Sequence, residues 1–199
     1  MAINEWWKEL SRDERYWVEI TDRETLGENL WIPKFDRNGN ETPSYTCVSL
    51  VQPGDVVFHW CTHSGDCCAH PDGESAFMGL SVAEGKAEDS RIDWQPHGPA
   101  GKRPGNWRDR DAWFVPLRSY QDFPTPVTLE DLRRKERELR RIRDHLAKKV
   151  GSTYFPFVFS NKQPLRPAQG YLFKLPAAVV DLFPELRNAV GLTNPPRRA

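Results

Sequence analysis

The chain has 199 residues, and its 28 lysines and arginines balance 28 aspartates and glutamates, so the formal net charge at pH 7 is zero. This length fits one domain with a substantial core, or one domain with a tail. A basic field over the whole surface is excluded, so any affinity for nucleic acid has to come from local clusters of charge. No segment resembles a signal peptide or is long enough to span a membrane. We therefore expect a cytoplasmic protein without a membrane partner.

The first elements are predicted to be a helix over residues 4–13, with Asn4 as its N-cap, and a strand over residues 15–20. Residues 22–26 begin like a short helix. Trp31 follows in a short apolar stretch between Gly27 and a polar segment, which is typical of a loop. Residues 44–50 are ambiguous and could form a turn of helix. The turn that follows, at residues 52–55, precedes a strand over residues 56–60 that ends on Trp60.

Trp31 and Trp60 are the most informative residues, because both stand at predicted element ends. Two indoles there can form the walls of a slot for a planar ligand, and stacking contributes about 1–3 kcal/mol per base. The alternative is that both pack in the core, since tryptophan buries a large area.

A Cys/His loop follows Trp60. Its side chains are soft or borderline zinc ligands, with His59 close by: Cys61, His63, Cys67, Cys68 and His70. The spacing contains no C-x2-C pair, and adjacent cysteines seldom both reach one tetrahedral ion. We therefore favour reduced thiols over a metal site, and expect a disulfide least of all.

A strand over residues 75–83 comes next, and Gly79 within it indicates a bulge or a close backbone approach. The loop over residues 97–110 then surrounds one aromatic side chain with bases: Lys102, Arg103, Trp107, Arg108 and Arg110. That composition suits a finger that grips phosphates and inserts or stacks Trp107. The alternative is an exposed solubilising loop whose Trp107 folds back onto the protein. A strand over residues 111–119 ends this part.

One long helix is predicted over residues 128–150, with Thr128 as its N-cap and acidic residues in the first turn. Nine basic and five acidic residues interleave along it, which favours a solvated face over a phosphate contact. Residues 154–159 form an aromatic edge strand interrupted by Pro156. A last strand at 171–175, a helix at 175–183 with Pro176 in its first turn and a Pro/Arg-rich tail at 191–199 complete the chain.

The order of these parts resembles the EVE domain and, more distantly, YTH domains, both of the PUA-like superfamily. The resemblance is carried by residues 16–20 (YWVEI), 29–31 (NLW), 52–58 (QPGDVVF), 77–84 (FMGLSVAE), 126–132 (PVTLEDL) and 163–167 (QPLRP). It spans most of residues 15–185. It implies an α+β fold, with a PUA-like curved mixed β-sheet or partial barrel flanked by helices, as one domain over residues 1–190 with residues 191–199 as linker or tail.

The resemblance also implies an aromatic cage for a modified base at one mouth of the barrel. Its walls would be Trp31, in the N-x-W element, and Trp60. The candidates for reading the base edge are Asn29, Ser44, Asp55 and His59, of which asparagine offers both a donor and an acceptor. The backbone or wedge contacts would come from the Trp107 loop described above together with Lys162 and Arg166. The Cys/His loop and the Trp107 loop are departures from simple EVE domains.

The sequence holds none of the common nuclease, deaminase or phosphate-loop motifs. We predict a binding module without a cofactor, the sensor part of a modification-dependent restriction system. It would flip a methylated or hydroxymethylated cytosine in double-stranded DNA into the cage, and a C-terminal nuclease domain is a second candidate partner. Two alternatives stay open: an RNA or DNA reader of N6-methyladenine, and a metal-dependent enzyme centred on residues 59–70.

Overall fold

The structure is a computed structural model that describes residues 6–8, 15–23, 25–36, 38–62, 74–92, 109–147, 153–160 and 162–193. A 3-10 turn, Trp6–Lys8, comes first. The strands are β1 (Tyr16–Thr21), β2 (Asn29–Pro33), β3 (Val56–Cys61), β4 (Ala76–Ala83), β5 (Glu88–Arg91), β6 (Asp111–Thr128), β7 (Phe157–Val158), β8 (Arg166–Pro167) and β9 (Leu172–Lys174). The helices are α1 (Pro43–Ser49), α2 (Leu129–Arg134), α3 (Glu136–Ala147), α4 (Ala177–Leu182) and α5 (Pro184–Thr193).

Seven strands form one mixed sheet in the order β2-β6-β4-β3-β1-β9, with β5 added alongside β6. β1 and β3 run parallel, whereas the other pairs in this sheet are antiparallel. β7 and β8 pair separately. The predicted α+β class, with a curved mixed sheet flanked by helices, is confirmed.

The sheet curls until its two end strands approach each other. The backbone N–H of Trp31 in β2 donates to the hydroxyl of Tyr171, the residue before β9, at 3.1 Å. The backbone N–H of Tyr171 donates in turn to Ser44 Oγ in α1 at 2.5 Å. Side chains therefore join the ends of the sheet into a partial barrel, and α1 packs beside the join.

The alternation of side chains along each strand separates two apolar clusters. Val18, Phe58 and Leu80 face the helices and pack with Leu132 and Leu139 of α2 and α3. The barrel interior is lined by side chains that point to the other face of the sheet, such as Trp17, Val57 and Leu30, together with residues of α1. Since successive side chains of a strand point to opposite faces, the central strand β3 is buried on both sides.

The predicted helix over residues 128–150 is two helices. Its start is confirmed: Thr128 Oγ1 accepts from the Asp131 N–H, and the Asp131 carboxylate accepts from the Thr128 N–H, which forms a capping box. Lys135 departs from helical geometry with φ −103° and ψ 14°, so α2 ends there and α3 begins. Both helices still bury apolar side chains on either side of this break, Leu132 in α2 and Leu139 in α3.

Gly79 makes the close backbone approach that its place in the strand indicates. A Cβ on Gly79 would lie 2.3 Å from the carbonyl oxygen of Gln121 in β6. The β4–β6 register shifts on both sides of this point, and Ser119 adopts a positive φ of 56°. β6 consequently continues as a bent strand to Thr128, nine residues past its predicted end.

Other local predictions are corrected. Residues 29–33, expected to be a loop, form β2, because Leu30 and Ile32 alternate into the barrel and the segment pairs with β6. Residues 22, 23, 25 and 26 are not helical, and residues 43–49 are. The aromatic segment at 154–159 contributes only β7, and α5, which was not predicted, extends three residues into the expected tail. Within the described ranges no helix is long and apolar enough to cross a membrane.

Candidate functional site

A cluster of polar side chains occupies the barrel interior beyond its apolar part. On β1, Trp17 packs in the apolar interior, and Glu19, two residues further along, projects from the same face. Glu19 and His59 are register partners in the parallel pair β1–β3, so their side chains lie next to each other. Ser81 of β4 completes the group. All three side chains are buried, with 1% or less of their surface exposed.

A hydrogen-bond chain runs through these three residues. His59 Nδ1 lies 2.7 Å from Glu19 Oε2, and His59 Nε2 lies 2.8 Å from Ser81 Oγ. An ionised carboxylate can only accept, so Nδ1 carries the proton in the first bond. The carboxylate thus holds a proton on Nδ1 and orients the ring, as it does in other carboxylate–histidine pairs.

The charges around Glu19 keep it ionised. Burial by itself raises the pKa of Glu19, but the hydrogen bond and charge of His59, and the charge of Arg23, lower it below its ordinary value. Burial also raises the pKa of Tyr171, and the negative charge of Glu19 adds to that rise. The cluster therefore contains one buried negative charge in contact with a neutral phenol.

Arg23 and Asn29 form the partly exposed rim of the cluster. Arg23 Nη1 and Nη2 donate to the backbone and side-chain oxygens of Asn29 at 3.0 and 3.1 Å. Arg23 Nη1 lies 3.8 Å from Glu19 Oε1, and the arginine side chain is 30% exposed. Trp31 is partly buried and projects from the same face of β2 as Asn29, because the two are separated by two positions.

Tyr120 covers the other side of the cluster. Its ring packs edge-on to His59 with 5.6 Å between centroids, and its hydroxyl donates to Asp122. The space for this ring depends on Gly27, which has φ +80° and where a Cβ would lie 2.6 Å from both Tyr120 and Ser81 Oγ. Because Gly27 and Gly79 have no side chains, the Tyr120 ring has room to lie over the hydrogen-bond chain.

Serine, histidine and glutamate in this order are also the residue types of a nucleophilic triad. Here Ser81 is 0% exposed, and Gly27 and Tyr120 pack directly over its hydroxyl. A nucleophile needs space for its substrate within reach of the oxygen. The arrangement is therefore suited to holding Glu19 in position, and Ser81 in this state offers no attack on a substrate.

The structure corrects the prediction that Trp60 is a cage wall. Trp60 is 0% exposed and packs edge-to-face against Phe77, with 4.9 Å between centroids, and against Phe157 in the helix-facing core. Trp31 lies on β2, and two strands separate it from β3. The alternation that points His59 into the barrel points Trp60 out of it, so no slot forms between the two indoles.

Asp55 and Ser44 are also committed elsewhere. The Asp55 carboxylate accepts from Arg15 Nε at 2.5 Å, Trp17 Nε1 at 2.8 Å and the Gln52 N–H at 2.9 Å, which is a structural role at the turn before β3. Ser44 Oγ holds the backbone of Tyr171. Of the four residues predicted to read a base edge, Asn29 and His59 belong to the polar cluster.

The candidate metal loop lies mostly outside the described residues, as do His63, Cys67, Cys68 and His70. Cys61 is buried and disulfide-bonded, which corrects the expectation of a reduced thiol and removes this sulfur as a metal ligand. His59 is engaged by Glu19 and Ser81. Among the described side chains no group of three or more metal-ligating residues occurs.

The predicted DNA-backbone contacts are scattered. Lys102, Arg103, Trp107 and Arg108 lie outside the described residues and stay predictions. Arg110 donates to the carbonyl oxygens of Phe35 and Asp36 at 2.9 and 2.6 Å, so it anchors a turn. Lys162 and Arg166 are exposed near β8, whose neighbour Leu165 packs in the helix-facing cluster, on the side of the sheet opposite Glu19.

Sequence reasoning missed five members of the cluster: Glu19, Arg23, Ser81, Tyr120 and Tyr171. One signal was present, because Glu19 lies two positions after the apolar Trp17 and therefore on the same face of β1. A charged residue on the buried face of a strand needs a partner, and this marks it for attention. Nothing local marks Tyr120, which depends on the β6 bulge.

No protein-family model matches the chain, and no curated protein matches it significantly. Solved structures resemble it in fold. The N-terminal domain of Staphylothermus marinus McrB is 17% identical, with 91% of this chain and 95% of that chain covered and a TM-score of 0.43. The DUF55 domain of human thymocyte nuclear protein 1 is 8% identical, with 90% and 99% covered and a TM-score of 0.45.

Human THYN1, solved in complex with DNA that contains 5-methylcytosine, is 10% identical, with 90% of this chain and 97% of that chain covered and a TM-score of 0.43. Every one of these TM-scores lies below 0.5.

Proposed function

We propose that this chain is a binding module that recognises a modified base, a methylated or hydroxymethylated cytosine, in double-stranded DNA. The observation that carries the proposal is the polar cluster inside the barrel end, which combines fixed hydrogen-bonding atoms with a partly exposed rim. A base that is read by its edge needs such groups, and it can reach them only when it leaves the duplex. The base flips out and enters on the side of Arg23 and Asn29.

Trp31 is the aromatic wall at this rim. Its side chain projects with that of Asn29 from the face of β2 opposite to Leu30 and Ile32, so it borders the entrance from outside the barrel. Its backbone N–H donates to the Tyr171 hydroxyl, which also interacts with Glu19. Tyr120 closes the opposite side. The sequence resemblance to EVE domains supports the same ligand class. It also supports a wider role as the sensor of a modification-dependent restriction system, in which a nuclease domain acts on the DNA that this domain selects.

Replacing Trp31 tests this wall. Trp31→Ala is expected to weaken binding to a duplex with one 5-methylcytosine by about 5- to 150-fold, since stacking on an aromatic contributes about 1–3 kcal/mol per base. Binding to the unmodified duplex is expected to change little. The measurement is a titration of both duplexes by fluorescence anisotropy, with thermal melting of each variant.

The matched control is Trp113→Ala. Trp113 is also partly buried and lies on the neighbouring strand, but it is the register partner of Ile32 and so projects from the face of the sheet opposite to Trp31. Lys34 Nζ lies 4.0 Å from the centroid of its ring. This variant loses a comparable indole and is expected to keep its preference for the modified duplex. Wild-type protein that binds both duplexes equally would contradict the proposed function, and Trp31→Ala protein with undiminished preference would remove Trp31 from the site.

A further inference from the structure

The most unusual atom of the cluster is the second carboxylate oxygen of Glu19. Glu19 Oε2 is occupied by His59, but among the described residues no donor makes a hydrogen bond to Oε1. Arg23 Nη1 is too far away at 3.8 Å, because both of its terminal nitrogens are engaged by Asn29. The Tyr171 hydroxyl accepts the Trp31 N–H and has a side-chain interaction with Glu19 that lowers the pKa of this carboxyl, but it makes no hydrogen bond to Oε1.

A buried acceptor without a donor is uncommon, since buried polar groups are nearly always hydrogen-bonded. Glu19 is 1% exposed, and its lowered pKa keeps it ionised, so both oxygens act as acceptors only. The chain from Ser81 through His59 fixes Oε2 and with it the direction of Oε1. His59 and Ser81 are thus positioning residues for an acceptor that is ready for a donor from a ligand.

The position of Arg23 indicates the side from which a hydrogen-bond donor of the ligand would enter. Arg23 is the partly exposed side chain in front of Oε1, and it already places a nitrogen on that side, although beyond hydrogen-bond distance. A ligand amine that enters from the rim would displace the arginine side chain and approach Oε1 directly. The contact between Arg23 and Asn29 can be given up at moderate cost because the rim is open to water.

We propose that Glu19 Oε1 accepts a hydrogen bond from the exocyclic amino group of the bound base and thereby selects an amino-bearing base over its carbonyl-bearing counterpart. The proposal rests on the proposed function and names the feature of the base that the site reads. 5-Methylcytosine and thymine carry the same methyl group and differ at position 4, where cytosine has an amine and thymine an oxygen. With thymine, the carbonyl oxygen would face the carboxylate oxygen, and two acceptors repel each other.

The experiment compares two duplexes that differ in one base: 5-methylcytosine opposite guanine, and thymine opposite the same guanine. The mismatched thymine unstacks more easily, so ease of flipping favours thymine and any preference for 5-methylcytosine is due to recognition. Wild-type protein is expected to bind the 5-methylcytosine duplex about 10- to 100-fold more tightly. This comparison does not depend on the folding of any variant.

Glu19→Gln then tests the role of Oε1 as the acceptor. The glutamine oxygen can keep the bond from His59 Nδ1, and its amide N–H₂ takes the place of Oε1 as a donor. The variant is therefore expected to lose the preference for 5-methylcytosine and to bind the thymine duplex at least as tightly. The matched control is Asp55→Asn, a second buried carboxylate whose oxygens are all bonded within the protein. It is expected to keep the wild-type preference even where it melts at a lower temperature.

The outcomes separate the two proposals. If wild-type protein prefers 5-methylcytosine to unmodified cytosine, but does not discriminate against thymine, the role of Glu19 is wrong and the proposed function stands. An unchanged preference in Glu19→Gln also overturns it. If wild-type protein has no preference for any modified duplex, both proposals are wrong. A third duplex contains N6-methyladenine, which keeps one N–H on its exocyclic nitrogen. Tighter binding to this duplex than to the 5-methylcytosine duplex would overturn the assignment of the bound base to cytosine.

Discussion

At the scale of single residues, Asp55 and Glu19, the two buried carboxylates among the described residues, differ in how completely they are hydrogen-bonded. Asp55 accepts hydrogen bonds from Arg15, Trp17 and Gln52, and so it stabilises the turn before β3. Glu19 accepts from His59 and keeps one oxygen without a hydrogen bond from the described residues. An unsatisfied buried acceptor costs about 1–3 kcal/mol, so this arrangement lowers the stability of the free protein. Retaining such a group is understandable where a ligand supplies the missing donor.

The lowered pKa of Glu19 leads to a prediction for acid unfolding. The carboxyl binds its proton at lower pH in the folded state than in the unfolded state, whose ordinary value is 4.5. Its contribution to stability is therefore fully present above that value and is lost as the pH falls through the folded pKa. We expect the free energy of unfolding of wild-type protein to decrease on acidification more steeply than that of Glu19→Gln, as measured by urea denaturation between about pH 7 and pH 3.

High salt is the control for this measurement. Salt screens exposed carboxylates, whereas a buried pair such as Glu19 and His59 is screened much less. The difference between the two proteins should therefore persist at high ionic strength. A difference that is independent of pH would show that Glu19 has the same pKa in the folded and unfolded states.

At the scale of elements, the start of α2 is set by local chemistry. Thr128 and Asp131 exchange hydrogen bonds across the first turn, and the following helix places Leu132 in the core. Capping matters here because a short helix leaves a large share of its backbone N–H groups without partners. α2 has six residues, so the cap satisfies a substantial part of them.

Thr128→Ala is expected to lower the free energy of unfolding by about 1 kcal/mol, because it removes the side-chain acceptor of the capping box. The matched control is Thr42→Ala at the N-cap of α1, where the threonine makes no side-chain capping bond and its buried Oγ1 has no partner. Urea denaturation of both variants measures the difference. Equal losses would show that the Thr128 hydroxyl contributes nothing beyond its packing.

At the scale of the whole molecule, one side chain joins the two ends of the sheet. β2 and β9 are the end strands of the path, and the Tyr171 hydroxyl accepts the Trp31 N–H across the gap between them. The same phenol lies against Glu19 inside the barrel. Closure of the barrel and the formation of the polar cluster are therefore coupled through Tyr171.

Tyr171→Phe is expected to destabilise the protein by about 1–3 kcal/mol, because a backbone donor loses its acceptor. Hydrogen exchange at the Trp31 amide should become faster. Tyr154→Phe is the control, since its hydroxyl donates to the Leu172 carbonyl in β9 and not to the Trp31 backbone. If Trp31 exchanges at the wild-type rate in Tyr171→Phe, the end strands are held together by packing and not by this bond.

Much of the fold follows from local sequence. The β1, β3 and β4 segments are strongly apolar and rich in β-branched and aromatic residues, so their pattern predicts strands near the observed bounds. Thr128 with acidic residues after it predicts the start of α2. Gly79 predicts a close backbone approach, which Gln121 makes. These features depend on neighbours in the chain, and the sequence contains them directly.

The site was decided by tertiary structure. Every residue of β3 is buried, so alternation alone does not tell which face meets the helices and which lines the barrel. Trp60, a cage wall by the resemblance, lies in the helix-facing core. β2 is a strand only because β6 pairs with it. Glu19, His59 and Ser81 are 40 and 22 residues apart along the chain, and they meet through the parallel register of β1 with β3 and the antiparallel register of β3 with β4. The sequence by itself determined which segments become strands, and the pairing of those strands determined which side chains share the interior.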